Sequence, residues 1–134
     1  MRREPLPEPS ELTDGFWQAA REHRLVIQRC DECGRLRHYP QALCPQCHSV
    51  RWTWSPVSGR GVIHSFSVTH HAFNPAWAQR VPYAVATIDL EEGVRLVSDL
   101  PDSDLDHVAI GKPVEVFFDQ IDAHVTLPRF RLVS

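Results

Sequence analysis

The chain has 134 residues, of which 43% are apolar and 23% charged, with a formal net charge of −3. That length suits one compact unit or two very small ones, and the apolar share excludes wholesale disorder. No stretch approaches the ~20 apolar residues of a membrane-spanning helix. The charged, Pro-rich start carries no apolar signal core, and mild acidity gives no electrostatic pull toward nucleic acid. These features predict a cytoplasmic protein without a membrane partner.

Residues 1–9 hold three prolines and read as an extended arm. Ser10 to Gly15 offers N-cap choices for a short amphipathic helix that puts Phe16, Trp17, Ala20 and Arg24 on one face. Phe16 and Trp17 are packing anchors or an exposed anchor for a partner. Residues 25–29 form a strand that leads to a cysteine pair. A second strand over 35–39 stops at Pro40. Residues 51–55 alternate polar and aromatic, which places Trp52 and Trp54 on one face, packing this region against the next module.

The four cysteines are Cys30, Cys33, Cys44 and Cys47, in the pattern C-x2-C-x10-C-x2-C. Two residues between cysteines let a tight turn aim both sulfurs at one point. Two such knuckles ten residues apart complete a tetrahedral four-sulfur site. Gly34 supplies the positive φ such a knuckle needs, and Pro45 supports the second turn. Two disulfides are disfavoured in a reducing compartment. A redox C-x-x-C needs only one pair, in a setting absent here. The spacing therefore predicts a closed structural metal site, with zinc favoured and iron open. With four protein ligands no position remains for substrate, so the metal holds the fold. His38 and His48 read as exposed side chains beside the site.

From Gly59 the texture changes. Strands are predicted at 61–70, 83–90, 94–100, 114–119 and 128–133, with a Gly93 hairpin joining the second and third and an acidic stretch, with a helical turn, over 101–107. Five short strands in such a length suggest a small closed β-barrel, the OB-fold being the leading case. Its aromatics alternate with apolar residues as core side chains do. Residues 1–58 carry a net +1 and residues 59–134 a net −4. The barrel, which an OB-fold nucleic-acid binder would use, is the acidic part. Binding of single-stranded nucleic acid is the alternative function, weakened by that charge.

The ordered set of Phe16-Trp17, residues 25–34, Tyr39-Pro40, residues 44–47, residues 59–68, Pro82-Tyr83 and residues 111–116 resembles the zinc-ribbon plus OB-fold, acyl-CoA-associated family. The resemblance runs from about residue 12 to the end. It implies a mainly β fold: N-terminal arm and helix (1–24), rubredoxin-like zinc ribbon (25–58) and a five-stranded OB-fold barrel (59–134). Cys30, Cys33, Cys44 and Cys47 carry over as zinc ligands. The resemblance also implies a non-catalytic accessory subunit of a thiolase-like enzyme, in a hetero-oligomer. That enzyme is an aldolase or acyltransferase acting on acyl-CoA thioesters. Residues 70–75 and 81–83 point to the partners of aldolases that shorten steroid side chains. The CoA thioester would sit at a shared site.

No catalytic motif carries over. His64, His70, His71, His107 and His124 are candidate acid–base groups, but no nucleophile pairs with them. Asp89, Glu91 and Glu92 read as a solvated turn. Arg60, Arg80 and Arg129 are candidates for CoA phosphates. Phe16, Trp17 and Trp77 are the candidate partner-binding residues, Trp77 because an indole in a loop is costly to expose.

Overall fold

One helix and two antiparallel sheets organise the chain, in a computed structural model that describes residues 7–72, 75, 78 and 80–133. Helix α1 spans Asp14–Arg21, with Asp14 in its first turn and Arg21 in its last, each favourable to the helix dipole. Ser10 and Thr13 fasten the turn before it: the Ser10 N–H donates to Thr13 Oγ1 at 3.0 Å. After the helix, the N–H of His23 donates to Ala20 and that of Arg24 to Ala19, a Schellman closure. His23 takes the left-handed position, at φ 59°, that glycine usually fills. Its ring stacks on Phe118 at 5.3 Å, a contact glycine could not make.

The first sheet contains β1 (Val26–Cys30), β2 (Leu36–Arg37) and β3 (Trp52–Pro56), in the order β2-β1-β3. β2 is shorter than the sequence predicts. It pairs only Leu36 with Arg29 and Arg37 with Gln28 before the chain turns away at His38. Trp52 and Trp54 do share a face, edge to face at 5.1 Å. Trp54 lies under α1, so close that any side chain at Gly15 would run into its indole. The indole thus joins helix to ribbon, whereas the sequence placed it between ribbon and barrel.

The second sheet contains β4 (Arg60–Thr69), β5 (Tyr83–Leu90), β6 (Arg95–Leu100), β7 (Pro113–Gln120) and β8 (Thr126–Leu132). Its order, β6-β5-β4-β7-β8, puts the first strand in the centre, the OB-fold arrangement. The acidic stretch contains one 3-10 turn at Asp102–Asp104. β6 and β8 meet through side chains: Ser98 Oγ donates to the Pro128 carbonyl at 3.2 Å, and Arg129 Nε to Asp99 at 2.8 Å. β5 alternates strictly, sending Ala84, Ala86, Ile88 and Leu90 inward. β4 does not. A bulge between Ile63 and Ser65 shifts its register: Ile63 lies in the core opposite Ile88, Val62 opposite Asp89 is 43% exposed, and beyond the bulge Phe66 lies opposite Ala86 yet stays 38% exposed. The apolar alternation along β4 therefore does not mark one core face.

The two sheets share a core. Leu25 and Ile27 from the cysteine-bearing half are buried in one cluster with Ile63, Ile88, Val114 and Phe130 of the barrel. The connection is pinned as well. The N–H of Ser58 donates to Glu92 at 2.8 Å, its hydroxyl donates to Glu91 at 3.1 Å, and the Arg60 guanidinium donates to Glu91 at 3.0 Å. Asp89 meets Arg95 at 2.6 Å. The acidic turn is thus an anchoring point as well as a solvated surface. Ile27→Ala should cost about 2–5 kcal/mol, the range for emptying a buried aliphatic site. Denaturation followed by tryptophan fluorescence and by far-ultraviolet circular dichroism should shift together, because Ile27 supports both halves. A shift in fluorescence alone would contradict a shared core.

Candidate metal centre and apolar groove

Each knuckle is built the same way. The Cys30 carbonyl accepts from Gly34 N–H at 3.0 Å, and the Cys44 carbonyl accepts from His48 N–H at 2.9 Å. The residue after each second cysteine takes a positive φ: Gly34 at 76° and His48 at 65°. The expected glycine role at position 34 is seen. His48, exposed as expected, fills the matching place at the steric cost any side chain meets there.

These turns bring the sulfurs of Cys30, Cys33, Cys44 and Cys47 within 4.8 Å of one another. All four are unbridged; Cys30 and Cys44 are buried, Cys33 and Cys47 exposed. A tetrahedral ion with ~2.3 Å bonds to sulfur sets the sulfurs ~3.8 Å apart. Separations of 3.5 Å for Cys30–Cys47 and 3.7 Å for Cys33–Cys44 fit that geometry. The Cys47 N–H pulls the Cys44 thiol down to about 6, against the opposing effect of burial. The Cys33 N–H lowers Cys30 likewise. At Cys47 the Ser49 N–H also lowers the thiol, but the thiols around it and burial outweigh that and raise it to about 12. Crowded thiols cannot all ionise by themselves, so the donor set and its electrostatics suit a cation bound by four thiolates.

Beside this centre lies a polar cluster that sequence reading missed. Gln28 is fully buried and Arg37 is 6% exposed. Gln28 Oε1 accepts from Arg37 Nε at 2.5 Å and from the Gln41 N–H at 2.8 Å. The Gln41 carbonyl accepts from Gln28 Nε2 and from Arg37 Nη2, both at 2.9 Å. The cluster fixes the chain from 37 to 41. No pattern in the sequence marks these polar residues as interior.

That segment forms one wall of a groove of about 390 Å³. Phe16, Trp17, Tyr39 and Pro40 line one side, and Val85, Val97 and Pro128 the other. The wall on β5, β6 and β8 includes the strands an OB-fold commonly uses for oligonucleotides. Here that surface is apolar and partly covered by helix and ribbon. Arg129 on its floor is already paired with Asp99 at 2.8 Å and Asp119 at 3.1 Å. Arg60 is paired with Glu91 at 3.0 Å. Neither guanidinium stands ready for a phosphate.

Phe16 and Trp17 are both half-buried, edge to face at 5.0 Å, so each packs on its neighbours and still borders the groove. Trp77 and Asn74 lie outside the described residues. His64 meets Asp89 at 3.4 Å on the surface, and His70, His107 and His124 are exposed. His38 departs from expectation. It is half-buried, 5.6 Å from Phe16 and 4.3 Å from Tyr39. Burial lowers its pKa to about 4. An unfolded histidine titrates near 6.5, so the ring is neutral in both states above that pH. Between 6.5 and 4 the unfolded chain takes up the proton first and stability falls. The loss is at most about 3 kcal/mol. His38→Asn should remove that part of the slope when unfolding free energies at pH 7 and pH 4.5 are compared with those of the parent protein.

Among the described residues no helix is long and apolar enough to cross a membrane. Residues 17–52 match the family described as "ChsH2, rubredoxin-like zinc ribbon domain", and residues 54–119 match "ChsH2, C-terminal OB-fold domain". The chain is 42% identical over 93% of its length to a probable enoyl-CoA hydratase alpha subunit of Thermomonospora curvata, covering 39% of that protein. It is 39% identical over 84% of its length to the 3-oxo-4,17-pregnadiene-20-carboxyl-CoA hydratase alpha subunit of Mycobacterium tuberculosis, covering 35% of it. The chain thus spans little more than a third of either relative. The solved structure titled "Ltp2-ChsH2(DUF35) aldolase" contains a chain that superimposes with a TM-score of 0.84 at 39% identity, covering 95% of this chain and 98% of that one. The matched pair of modules, in the same order and on the same fold, makes this chain a member of the ChsH2 (DUF35) family of rubredoxin-like zinc ribbon plus OB-fold proteins.

Proposed function

We propose that the chain is a non-catalytic accessory subunit of a thiolase-like enzyme acting on acyl-CoA thioesters. The observation that carries this reading is the near full-length likeness to the DUF35 chain of an aldolase that also contains Ltp2. The reading takes steroid side-chain degradation in the cytoplasm as its setting; one relative's name, 3-oxo-4,17-pregnadiene-20-carboxyl-CoA hydratase alpha subunit, supports the steroid part. Two features of the chain support a subunit role. Four protein sulfurs converge on one point, which leaves a tetrahedral ion no open position for substrate. His64 faces Asp89 and Arg95 rather than a nucleophile, and His70, His107 and His124 are exposed.

The reading takes zinc as the ion and Cys30, Cys33, Cys44 and Cys47 as its ligands. When bound it supplies no chemistry beyond cross-linking the two knuckles. It takes ribbon (25–58) and barrel (59–134) as modules that act as one body because they share a core. It takes Phe16 and Trp17, at the groove edge, together with Trp77 as the residues that meet the thiolase-like partner, with a CoA thioester held at their junction. Nucleic acid suits this surface poorly: the residues bordering the groove are mostly apolar, and the barrel is acidic.

Two experiments test the reading. Cys44→Ser should lower the bound zinc from one ion per chain toward none, measured by elemental analysis, and unfold the ribbon. A folded, zinc-replete variant would contradict the ligand set. The chain expressed with a thiolase-like protein from the same organism should co-purify as a hetero-oligomer, and alone it should turn over no acyl-CoA. Turnover by the isolated chain would overturn the accessory role.

A further inference from the structure

Arg37 is an anomaly that the ribbon's packing does not explain. The residue is 6% exposed, yet no carboxylate among the described residues pairs with its guanidinium. Its bonds go to the Gln28 amide oxygen and the Gln41 carbonyl, both uncharged, and Nη1 is buried with no partner. A buried charge without an opposite charge is strongly destabilising. Replacing the arginine by a neutral donor would keep much of the hydrogen bonding at less cost. The charge itself therefore needs a reason.

The register supplies one. Arg37 stands directly opposite Gln28 in the β1–β2 pair. Gln28 and Cys30 are two residues apart on β1, so their side chains share a sheet face. Arg37 thus lies on the cysteine-bearing face, one strand over from Gln28, which is itself about 7 Å along β1 from Cys30. A divalent ion bound by four thiolates carries a net charge of −2. Between residues 29 and 51, Arg29, Arg35, Arg37 and Arg51 against Asp31 and Glu32 leave +2. Of these arginines, three are exposed: Arg51 pairs with Glu32, and Arg35 donates to the Gln46 side chain at 2.6 Å. Arg37 is the one that water does not screen.

We propose that Arg37 is the buried counter-charge of the four-thiolate centre, and that it sets the preference of the site for a divalent ion. The inference rests on the metal reading given above. It also accounts for the uncharged partners of Arg37: a carboxylate there would cancel the charge the centre needs. The hydrogen bonds of Gln28 and Gln41 hold the guanidinium in place without neutralising it.

Wild type, Arg37→Gln and Arg37→Lys would be purified as full chains and loaded separately with Zn²⁺ and with iron. Metal analysis of the wild type comes first; a chain that binds no metal refutes the metal reading itself. With the metal reading intact, Arg37→Gln should bind Zn²⁺ at least roughly ten-fold more weakly in competition with a chromophoric chelator. Its iron form should show a more negative Fe(III)/Fe(II) potential, because the reduced centre carries one more negative charge. Arg37→Lys, which keeps the charge but not the planar fork, should hold the affinity within about three-fold and the potential close to wild type. If Arg37 only clamps the 37–41 turn, Lys and Gln variants should weaken alike and leave the potential unmoved, which would overturn the proposal. If Arg37→Gln fails to fold even with excess Zn²⁺, the Lys variant decides: retained affinity and potential support the counter-charge, and their loss refutes it.

Discussion

Four sulfur atoms held within 4.8 Å of one another set the terms for this fold. Their thiols cannot all ionise without a cation between them, and the loops that gather them have few apolar residues to hold them otherwise. Once the two knuckles are joined, the other elements fall into place in short steps. β1 runs straight into the first knuckle, which fixes Leu25 and Ile27 against the barrel. β2 leaves that knuckle, pairs briefly with β1, and delivers residues 38–40 to the groove. β3 leaves the second knuckle and presents Trp54 to α1. A small cross-linked ribbon thus sets the positions of both the helix and one wall of the groove.

The barrel contributes a different kind of order. Its strands alternate well enough to bury a compact apolar core, and its charges are mostly paired across neighbouring strands, as in Arg129 with Asp99 and Asp119. That pairing ties up Arg129 and leaves the described face beside the ribbon mostly apolar. The residues at the groove's rim, Tyr39 at 61% exposure and Val97 at 48%, give the same surface the character of a protein contact. An OB-fold commonly reads nucleic acid on this side; here the side is adapted to apolar contact.

Much of this was legible in the sequence because it depends on local rules. Cysteine spacing, Gly34 and the hairpin at Gly93 announce turns whose geometry few other residues allow. The five barrel strands are marked by short apolar runs separated by turn residues, and their ends agree to within a few residues. What could not be read depends on partners distant in sequence. Gln28 and Arg37 look like surface residues until the register puts them opposite each other beneath the 37–41 turn. The bulge at Ile63 and Ser65 decides which face of β4 is buried, and no residue there advertises it. His23 occupies a glycine position because Phe118, nearly a hundred residues later, stacks on it. His38 reads as an exposed ring until Phe16 and Tyr39 close around it.

In the function proposed above, an ion held by the four sulfurs fixes the ribbon, and through it the helix and the groove wall. Hydrogen exchange measured with zinc bound and after chelation tests this most directly. Removing zinc should strip protection from Val26–Cys30, Leu36–Arg37 and Trp52–Pro56 and from helix α1, with β5 and β6 affected less. Full protection of the ribbon strands after complete zinc removal would contradict it.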